Sequence, residues 1–247
     1  YTPSRKFFRL FFVWLILLSA AGCVMQPEVR QSGTVWIPSP NFDARRPNFV
    51  IIHGTSNACV EHALRTLTDP ERKVSAHYLI GRGGEVIQLV DERMRAWHAG
   101  KSYWSGETDI NSCSIGIEIH NPGHTQGYPD FPPAQMDAVT RLSADIVKRH
   151  RISRSRVLAH SDVAPDRKID PGEKFDWKGL AAVGVGLWIA PEPMDPDGWS
   201  LGPGAASEKI ADAQHLMRTY GYRIDVTGML DADTAFVLRA VQLHWRP

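Results

Sequence analysis

Cysteine is scarce in this sequence, which has three in 247 residues, at Cys23, Cys59 and Cys113. Three widely spaced cysteines cannot build a disulfide framework or a cysteine-based zinc knuckle. A disulfide between Cys59 and Cys113 is possible in an oxidising compartment, and a pair of buried or free thiols is the alternative. The fold must therefore depend on a hydrophobic core, for which a hydrophobic content of 43% is sufficient.

An excess of charge of either sign is also absent. The formal net charge is +1, and no stretch rich in Lys and Arg carries interleaved aromatic residues. Proteins dedicated to nucleic acids usually present a strongly basic surface. The sequence therefore predicts no nucleic-acid partner.

The apolar run near the N-terminus is too short for a comfortable transmembrane helix. Residues 1–23 contain three basic residues, the apolar stretch 10–18 and small residues before Cys23, which is the layout of a secretory signal peptide. Their ending, LSAAGC, resembles a bacterial lipobox, whose cysteine is lipidated, and Val24 after it indicates the outer membrane. We expect a lipoprotein signal peptide, lipidation at Cys23 and an outer-membrane lipoprotein facing the periplasm. An ordinary cleaved signal or an uncleaved anchor is the alternative.

The hydrophobic pattern between residues 35 and 190 predicts one mixed domain, reached through a polar tether at 24–34. Apolar runs, alternation and helical spacing give the order strand, helix, hairpin, strand, helix, strand. The hairpin is expected to pair beside the first strand. This order predicts an α/β (α+β) fold with a mixed central β-sheet flanked by helices. The patterns cover residues 49–53, 60–67, 74–90, 114–120, 133–150 and 156–160.

The stretch VLAHSDVAPDRKIDPG places an imidazole, an ammonium and a carboxylate close together, at His160, Lys168 and Asp170. An imidazole and a carboxylate suit a metal site, which would need a further ligand from elsewhere. His53 is the best candidate because it ends an apolar run, NFVIIH, as His160 does. The alternative is two hydrogen-bonded histidines at strand ends and an aspartate that caps a helix before Pro171.

Glu118 lies in the alternating segment SIGIEIH, on the opposite face from Ile115, Ile117 and Ile119. Such a glutamate either lies on a solvated sheet face or points into a site. From the residues alone, the solvated face is the favoured interpretation.

Several motifs occur in the order and spacing of a known enzyme family, namely IIHGTSN, VSAHYLI, AWHAG, SIGIEI and AHSDVAPDRKIDPG. Residues 35–190 resemble the zinc-dependent N-acetylmuramoyl-L-alanine amidases of the amidase-2 family, whose fold is shared with peptidoglycan recognition proteins. With its lipobox and tail, the chain is most similar to the lipoprotein type of this amidase. The resemblance implies hydrolysis of the amide bond between the lactyl group of MurNAc and L-Ala in peptidoglycan or muropeptides. The alternatives are a non-catalytic muropeptide-recognition module of the same fold and a zinc peptidase acting on the stem peptide.

The resemblance also implies roles for individual residues, and we expect the protein to be a monomer. One zinc ion per chain is expected, with Glu118 as acid/base and Lys168 as its electrostatic partner. Ala76 stands where peptidoglycan recognition proteins have a tyrosine, so Glu118 has no tyrosine to share its role. The zinc ligands are His53, His160 and Asp170, and the expected substrate contacts are Trp97, His98 and Asn57. For His98, packing is an equal alternative. His77 is interpreted as a structural residue or as one that hydrogen-bonds around the ligands. The histidines taken as surface residues are His62, His120, His124 and His150.

Residues 205–247 carry two helical patterns and follow a Pro/Gly/Asp-rich linker at 191–204. They predict a small all-α domain, and they resemble the helical peptidoglycan-binding domain of wall hydrolases. A purely structural helical cap is the alternative. Because so short a segment builds little core of its own, we expect it to pack against the preceding domain.

Substitution of the lipobox cysteine tests the predicted anchor. Cys23→Ala is expected to move the protein from the membrane fraction to the soluble periplasmic fraction, because two or three acyl chains hold a protein to a bilayer and none would remain. Cell fractionation with immunoblotting measures this distribution, and Cys59→Ala is the matched control. Continued membrane association of Cys23→Ala would contradict the lipoprotein prediction.

Overall fold

The computed structural model describes residues 46–190, 192 and 202–246. The predicted signal peptide with Cys23, the tether at 24–34 and most of the linker at 191–204 lie outside these residues. In the part of the chain that is described, no helix combines the length and the apolar character needed to cross a membrane.

One five-stranded sheet organises the described residues, with the strand order β3-β2-β4-β1-β5. Its neighbours pair in parallel except for β2 and β3, which form an antiparallel hairpin. The strands are β1 (Phe49–Gly54), β2 (Tyr78–Ile80), β3 (Val86–Gln88), β4 (Ser114–Ile119) and β5 (Val157–Ala159). The helices are α1 (Val60–Thr68), α2 (Ile110–Cys113), α3 (Pro133–His150), α4 (His160–Val163), α5 (Trp177–Ala182), α6 (Glu208–Tyr220) and α7 (Ala232–Trp245).

The mixed sheet with flanking helices confirms the predicted fold class and the predicted order of elements. The expected neighbour of the hairpin was wrong, because β2 pairs with β4 and not with β1. Strand β4 lies between them because its row of isoleucines is fully buried, and an interior position in the sheet provides that burial.

The two faces of the sheet are covered by different hydrophobic clusters. Val50 and Ile52 of β1 contribute to the first cluster, which is packed by α3 and α5. Phe49 and Ile51, which alternate with them, contribute to the second cluster, together with Met217 of α6. The C-terminal helices therefore share a core with the sheet.

Helix α6 is capped at both ends, and Gly221 is the stop that its helical pattern predicts. The Ser207 hydroxyl accepts a hydrogen bond from the Ile210 amide at 3.2 Å, and Gly221 ends the helix with a φ of 144°. The helical spacing of its apolar residues predicts one stripe, formed by Ile210, Ala213, Leu216, Met217 and Tyr220. The prediction that this stripe is buried is wrong at Leu216, which is 69% exposed. The buried Gln214 takes the inward position instead, and its amide donates to the Met229 carbonyl at 2.9 Å.

A buried carboxyl group joins α4 to the C-terminal helices. Asp162 accepts hydrogen bonds from the Ala159 amide at 2.7 Å and from the Tyr222 hydroxyl at 2.6 Å, and it lies 2.6 Å from Nδ1 of His244. Burial and the nearby Asp162 raise the pKa of Tyr222 well above its ordinary value, so the phenol stays a donor. The His244 ring stacks on Trp177 with their centroids 3.8 Å apart. These bonds tie the C-terminal helices to the segment that follows β5.

Tyr222→Phe is expected to lower the free energy of unfolding by about 2 kcal/mol, because it leaves one oxygen of the buried Asp162 carboxyl without its donor. Urea unfolding followed by circular dichroism measures the change. Tyr103→Phe is the matched control, since it removes the same atom from a partly exposed ring outside this network. Equal stability of the two variants would show that the Asp162 bond does not hold the C-terminal helices.

Candidate functional site

The parallel strands deliver three polar side chains to one edge of the sheet. His53 of β1 and Glu118 of β4 are register partners, and His160 directly follows β5, which pairs with the other side of β1. The carboxyl ends of parallel strands meet at the same sheet edge, where ligands commonly bind. The prediction that His53 and His160 converge at one edge is confirmed.

Three potential ligand atoms meet at this edge. Nδ1 of His53 lies 2.9 Å from Nδ1 of His160, and Oδ2 of Asp170 lies 3.0 Å from Nδ1 of His160 and 3.6 Å from Nδ1 of His53. Ligand atoms of a tetrahedral zinc ion lie roughly 3.3 Å apart, given bonds of about 2.0–2.1 Å. In the described residues, this trio forms a group of ligating side chains that could hold a metal ion. Asp170 is not a helix cap, because α5 begins later, at Trp177.

The electrostatics of the trio suit a cation. Burial, with a contribution from the neighbouring His160, lowers the pKa of His53 to about 4, so its imidazole is neutral at pH 7. Burial alone would raise the pKa of Asp170, but His160 and His53 hold it well below the ordinary value. The trio therefore offers a neutral imidazole and an ionised carboxylate at pH 7, which are forms that bind metal.

The protonation of His160 follows from its other ring nitrogen. Nε2 of His160 lies 3.2 Å from the carbonyl oxygen of Ala99, which can only accept, so Nε2 carries the proton of the neutral ring. Nδ1 then presents a lone pair toward His53 and Asp170. A cation between these three acceptor atoms would stabilise their arrangement. The side chains present therefore fit a metal ion.

Glu118 points into the site, so the favoured interpretation of a solvated sheet face was wrong. Its side chain is half-buried, and among the described residues Oε2 is enclosed without a hydrogen-bond partner. Burial, assisted by the negative charge of Asp170 and opposed by Lys168, raises the pKa of Glu118 to about 8. A carboxyl group with its pKa near neutrality can both accept and donate a proton at physiological pH.

A cavity of about 220 Å³ is lined by Glu118 and by the three side chains expected to contact substrate. Trp97 is 50% exposed, and Asn57 is half-buried and donates to the Thr55 carbonyl at 2.7 Å. The half-buried Lys168 lines the same cavity. The cavity brings Trp97, Asn57 and Lys168 together with His160 and Asp170 of the candidate metal-binding trio, while their contacts with substrate stay predictions.

His98 is more deeply buried than a residue that only lines a cleft would be. It is 9% exposed, and its Nδ1 lies 3.0 Å from Nε2 of the candidate ligand His53. On its other side, Nε2 lies 3.1 Å from the hydroxyl of Ser114. The sequence interpretation missed Ser114, although it lies on the same alternating face of β4 as Glu118.

The remaining histidines divide between confirmed and corrected interpretations. His77 is structural, as expected, because Nδ1 accepts from the Gly116 amide and Nε2 contacts the Met94 carbonyl. His120 was wrongly taken as a surface residue, since it is 4% exposed and lies 3.3 Å from the Thr55 hydroxyl. His150 is half-buried, and its Nε2 lies 2.6 Å from a carboxylate oxygen of Glu92.

Cys59 and Cys113 are thiols in the structure rather than a disulfide. Cys59 is exposed at the N-terminus of α1, whereas the Cys113 thiol contacts the carbonyl oxygen of Ile110 in α2.

Comparison with known proteins agrees with the geometry of the site. The family model described as N-acetylmuramoyl-L-alanine amidase matches residues 43–173. The N-acetylmuramoyl-L-alanine amidase AmiD of Escherichia coli is 34% identical, over 98% of this chain and 91% of that protein. The 1,6-anhydro-N-acetylmuramyl-L-alanine amidase AmpD of the same species is 38% identical, over 57% of this chain and 86% of that protein.

A solved structure extends the likeness to three dimensions. The complex of E. coli AmiD with the substrate anhydro-N-acetylmuramic acid-L-Ala-D-gamma-Glu-L-Lys superposes with a TM-score of 0.70 at 33% identity, covering 89% of each chain. The family model covers more than half of this chain, and AmiD matches nearly all of it. The chain therefore belongs to the N-acetylmuramoyl-L-alanine amidase family, amidase-2.

Proposed function

We propose that this chain is a zinc-dependent amidase that hydrolyses the bond between the lactyl group of N-acetylmuramic acid and L-alanine in peptidoglycan or muropeptides. The observation that carries the proposal is the position of Glu118 in the same cavity as His160 and Asp170 of the trio, with its buried Oε2 lacking a hydrogen-bond partner among the described residues. Family membership and the substrate complex of AmiD support the same chemistry.

One zinc ion per chain would be held by Nδ1 of His53, Nδ1 of His160 and Oδ2 of Asp170. When bound, zinc supplies a Lewis acid that polarises a carbonyl and lowers the pKa of water toward about 7. Two imidazoles and one carboxylate leave a position open for a water molecule or substrate, as in catalytic zinc sites.

Glu118 moves the proton in this mechanism. Its carboxylate accepts a proton from the water that attacks the amide carbonyl, and the resulting carboxyl group donates that proton to the alanine nitrogen as the C–N bond breaks. The second proton of the water passes from the new carboxylic acid to the released amine, so the products are a lactyl carboxylate on the sugar and a peptide with an L-alanine ammonium group. The raised pKa of Glu118, about 8, suits both transfers near neutral pH.

Lys168 stabilises the charge that develops on the carbonyl oxygen. It lines the cavity beside Glu118 and Asp170, and its backbone amide donates to the Ala164 carbonyl at 3.0 Å, which orders the loop that carries it. A well-placed cationic donor at a developing oxyanion contributes roughly 3 to 4 kcal/mol. Trp97 and Asn57 then form part of the cavity wall for the sugar or peptide.

A non-catalytic recognition module of the same fold could use this cavity wall to bind muropeptides. It would not require a carboxyl group with a raised pKa beside three converging ligand atoms. We therefore propose the enzyme in preference to the binder.

We also propose the cellular setting that the sequence predicts. Lipidation at Cys23 would place the protein on the outer membrane facing the periplasm, and the unit at 205–247 would bind peptidoglycan, the same polymer that the site cleaves. The protein is expected to act as a monomer.

Asp170→Asn tests the metal site. The variant is expected to bind zinc on the order of 100-fold more weakly, because it exchanges an anionic ligand for a neutral amide. Competition with a chromophoric chelator measures the affinity, and elemental analysis should find about one zinc per wild-type chain. Asp166→Asn, an exposed change in the same loop, is the control. Full activity of a metal-free wild-type preparation would contradict the proposal.

Glu118→Gln and Lys168→Ala test the roles in turnover. Both are expected to retain zinc, while kcat falls by about 10²–10⁴ without the acid/base residue and by about 10²–10³ without the oxyanion donor. Turnover is measured on soluble muropeptides and on sacculi in parallel, with the exposed Lys101→Ala as control. Mass spectrometry should find intact peptides that begin with L-alanine. Shortened stem peptides would instead indicate a zinc peptidase.

A further inference from the structure

Behind the ligand trio, a chain of buried polar groups leads away from His53. Nε2 of His53 lies 3.0 Å from Nδ1 of His98, and Nε2 of His98 lies 3.1 Å from the Ser114 hydroxyl. That hydroxyl donates to the carbonyl oxygen of Ile110 at 2.5 Å. All three side chains are buried: His53 is 1% exposed, His98 is 9% exposed and Ser114 is 0% exposed.

The Ile110 carbonyl determines which group donates and which accepts in this series of hydrogen bonds. A carbonyl oxygen only accepts, so the single hydroxyl proton of Ser114 points toward Ile110. The Ser114 oxygen is then an acceptor, and the proton of a neutral His98 ring must lie on Nε2. Nδ1 of His98 is left as an acceptor for the Nε2 proton of His53.

We infer that His98 and Ser114 are positioning residues that hold His53 in the tautomer with a lone pair on Nδ1, facing the metal. This inference rests on the proposed zinc site. A histidine ligand generally donates its second ring N–H to a neighbouring acceptor, which fixes both its tautomer and its orientation. Here that acceptor is another histidine, and its own tautomer is fixed by the serine.

The surrounding backbone is built to keep the His98 ring in place. The side-chain oxygen of Asn111 accepts from the amides of His98 and Ala99 at 3.0 and 2.8 Å. On β4, a Cβ atom at Gly116 would lie 2.4 Å from Cγ of His98. Only glycine therefore lets the ring lie against the strand, between Ser114 and the edge that carries Glu118.

The inference changes the role expected of His98. A residue that contacts the sugar or peptide affects KM and leaves the affinity for zinc unchanged. A residue that orients a ligand affects the affinity for zinc, even when no substrate is present. Zinc affinity and the tautomer of His53 therefore separate the two roles.

Ser114→Ala is the central test, because it removes the acceptor of His98 without touching the metal ligands. Zinc affinity, measured by competition with a chromophoric chelator, is expected to fall by about 10-fold, and by up to about 100-fold in His98→Ala. Ser143→Ala is the matched control, because it also removes a fully buried serine hydroxyl, one with no hydrogen-bond partner among the described residues. Equal zinc affinity of Ser114→Ala and Ser143→Ala would overturn the inference.

Gly116→Ala provides a second variant that keeps every polar group of the chain and displaces only the His98 ring. It should weaken zinc binding in the same direction, with the fold checked by circular dichroism. Wild-type zinc affinity in a folded Gly116→Ala variant would argue against the inference. So would a His98→Ala variant that changes KM and leaves zinc affinity unaltered.

Nitrogen-15 NMR of the metal-free protein tests the tautomer without any metal. The wild-type His53 is expected to show a protonated Nε2 and an unprotonated Nδ1, and Ser114→Ala should mix the two tautomers. A protonated Nδ1 in the wild type would overturn the inference. If the wild type binds no zinc, the proposed function fails, and the NMR measurement still decides whether the chain of hydrogen bonds orders His53.

Discussion

The parallel pairing of β1 with both of its neighbours is the constraint on which the site depends. Because β1 lies between β4 and β5, one register sets His53 beside Glu118 and ends β5 just before His160. A slip by one residue would turn the His53 side chain to the opposite face of the sheet. The Gly54 amide, at the end of β1, also donates to Oδ2 of Asp170 at 3.3 Å. Backbone hydrogen bonds therefore determine the positions of the ligand atoms.

The sequence predicted those parts of the site that depend on local pattern. Apolar runs that end in histidine indicated the two strand-end histidines of the candidate metal site, and alternation along β4 placed Glu118 on the face opposite the isoleucines. Alternation shows which residues share a face, but it does not show what covers that face. Here the segment that carries Trp97 and His98 lines the same cavity as Glu118, and the His98 ring lies against this face at Gly116 with Ser114 as a partner. The strand order likewise depends on long-range pairing, so the neighbour of the hairpin could not be read from its own residues.

The histidines show why residue type alone is a weak guide to role. His98 and His120 are both buried, yet their partners come from distant parts of the chain. His98 contacts His53, whereas the backbone carbonyl of His120 accepts from the Gln135 side chain of α3 at 2.9 Å. His98 therefore lies behind His53, and His120 helps to attach α3 to the sheet. This difference depends on the fold, and it cannot be read from the residues that flank either histidine.

The C-terminal helices bear on the site through the buried bonds of Asp162, which lies two residues after the candidate ligand His160. A wall-binding unit on a flexible linker would leave the active site free to turn toward any strand of the polymer. Here, Tyr222 and His244 contact Asp162 of α4, and the helices share a hydrophobic cluster with the sheet. A peptidoglycan strand bound by the helices would then meet the cavity in a fixed direction. The wall-binding and structural interpretations of these helices are thus compatible, because the same buried contacts that complete the core would also orient the substrate.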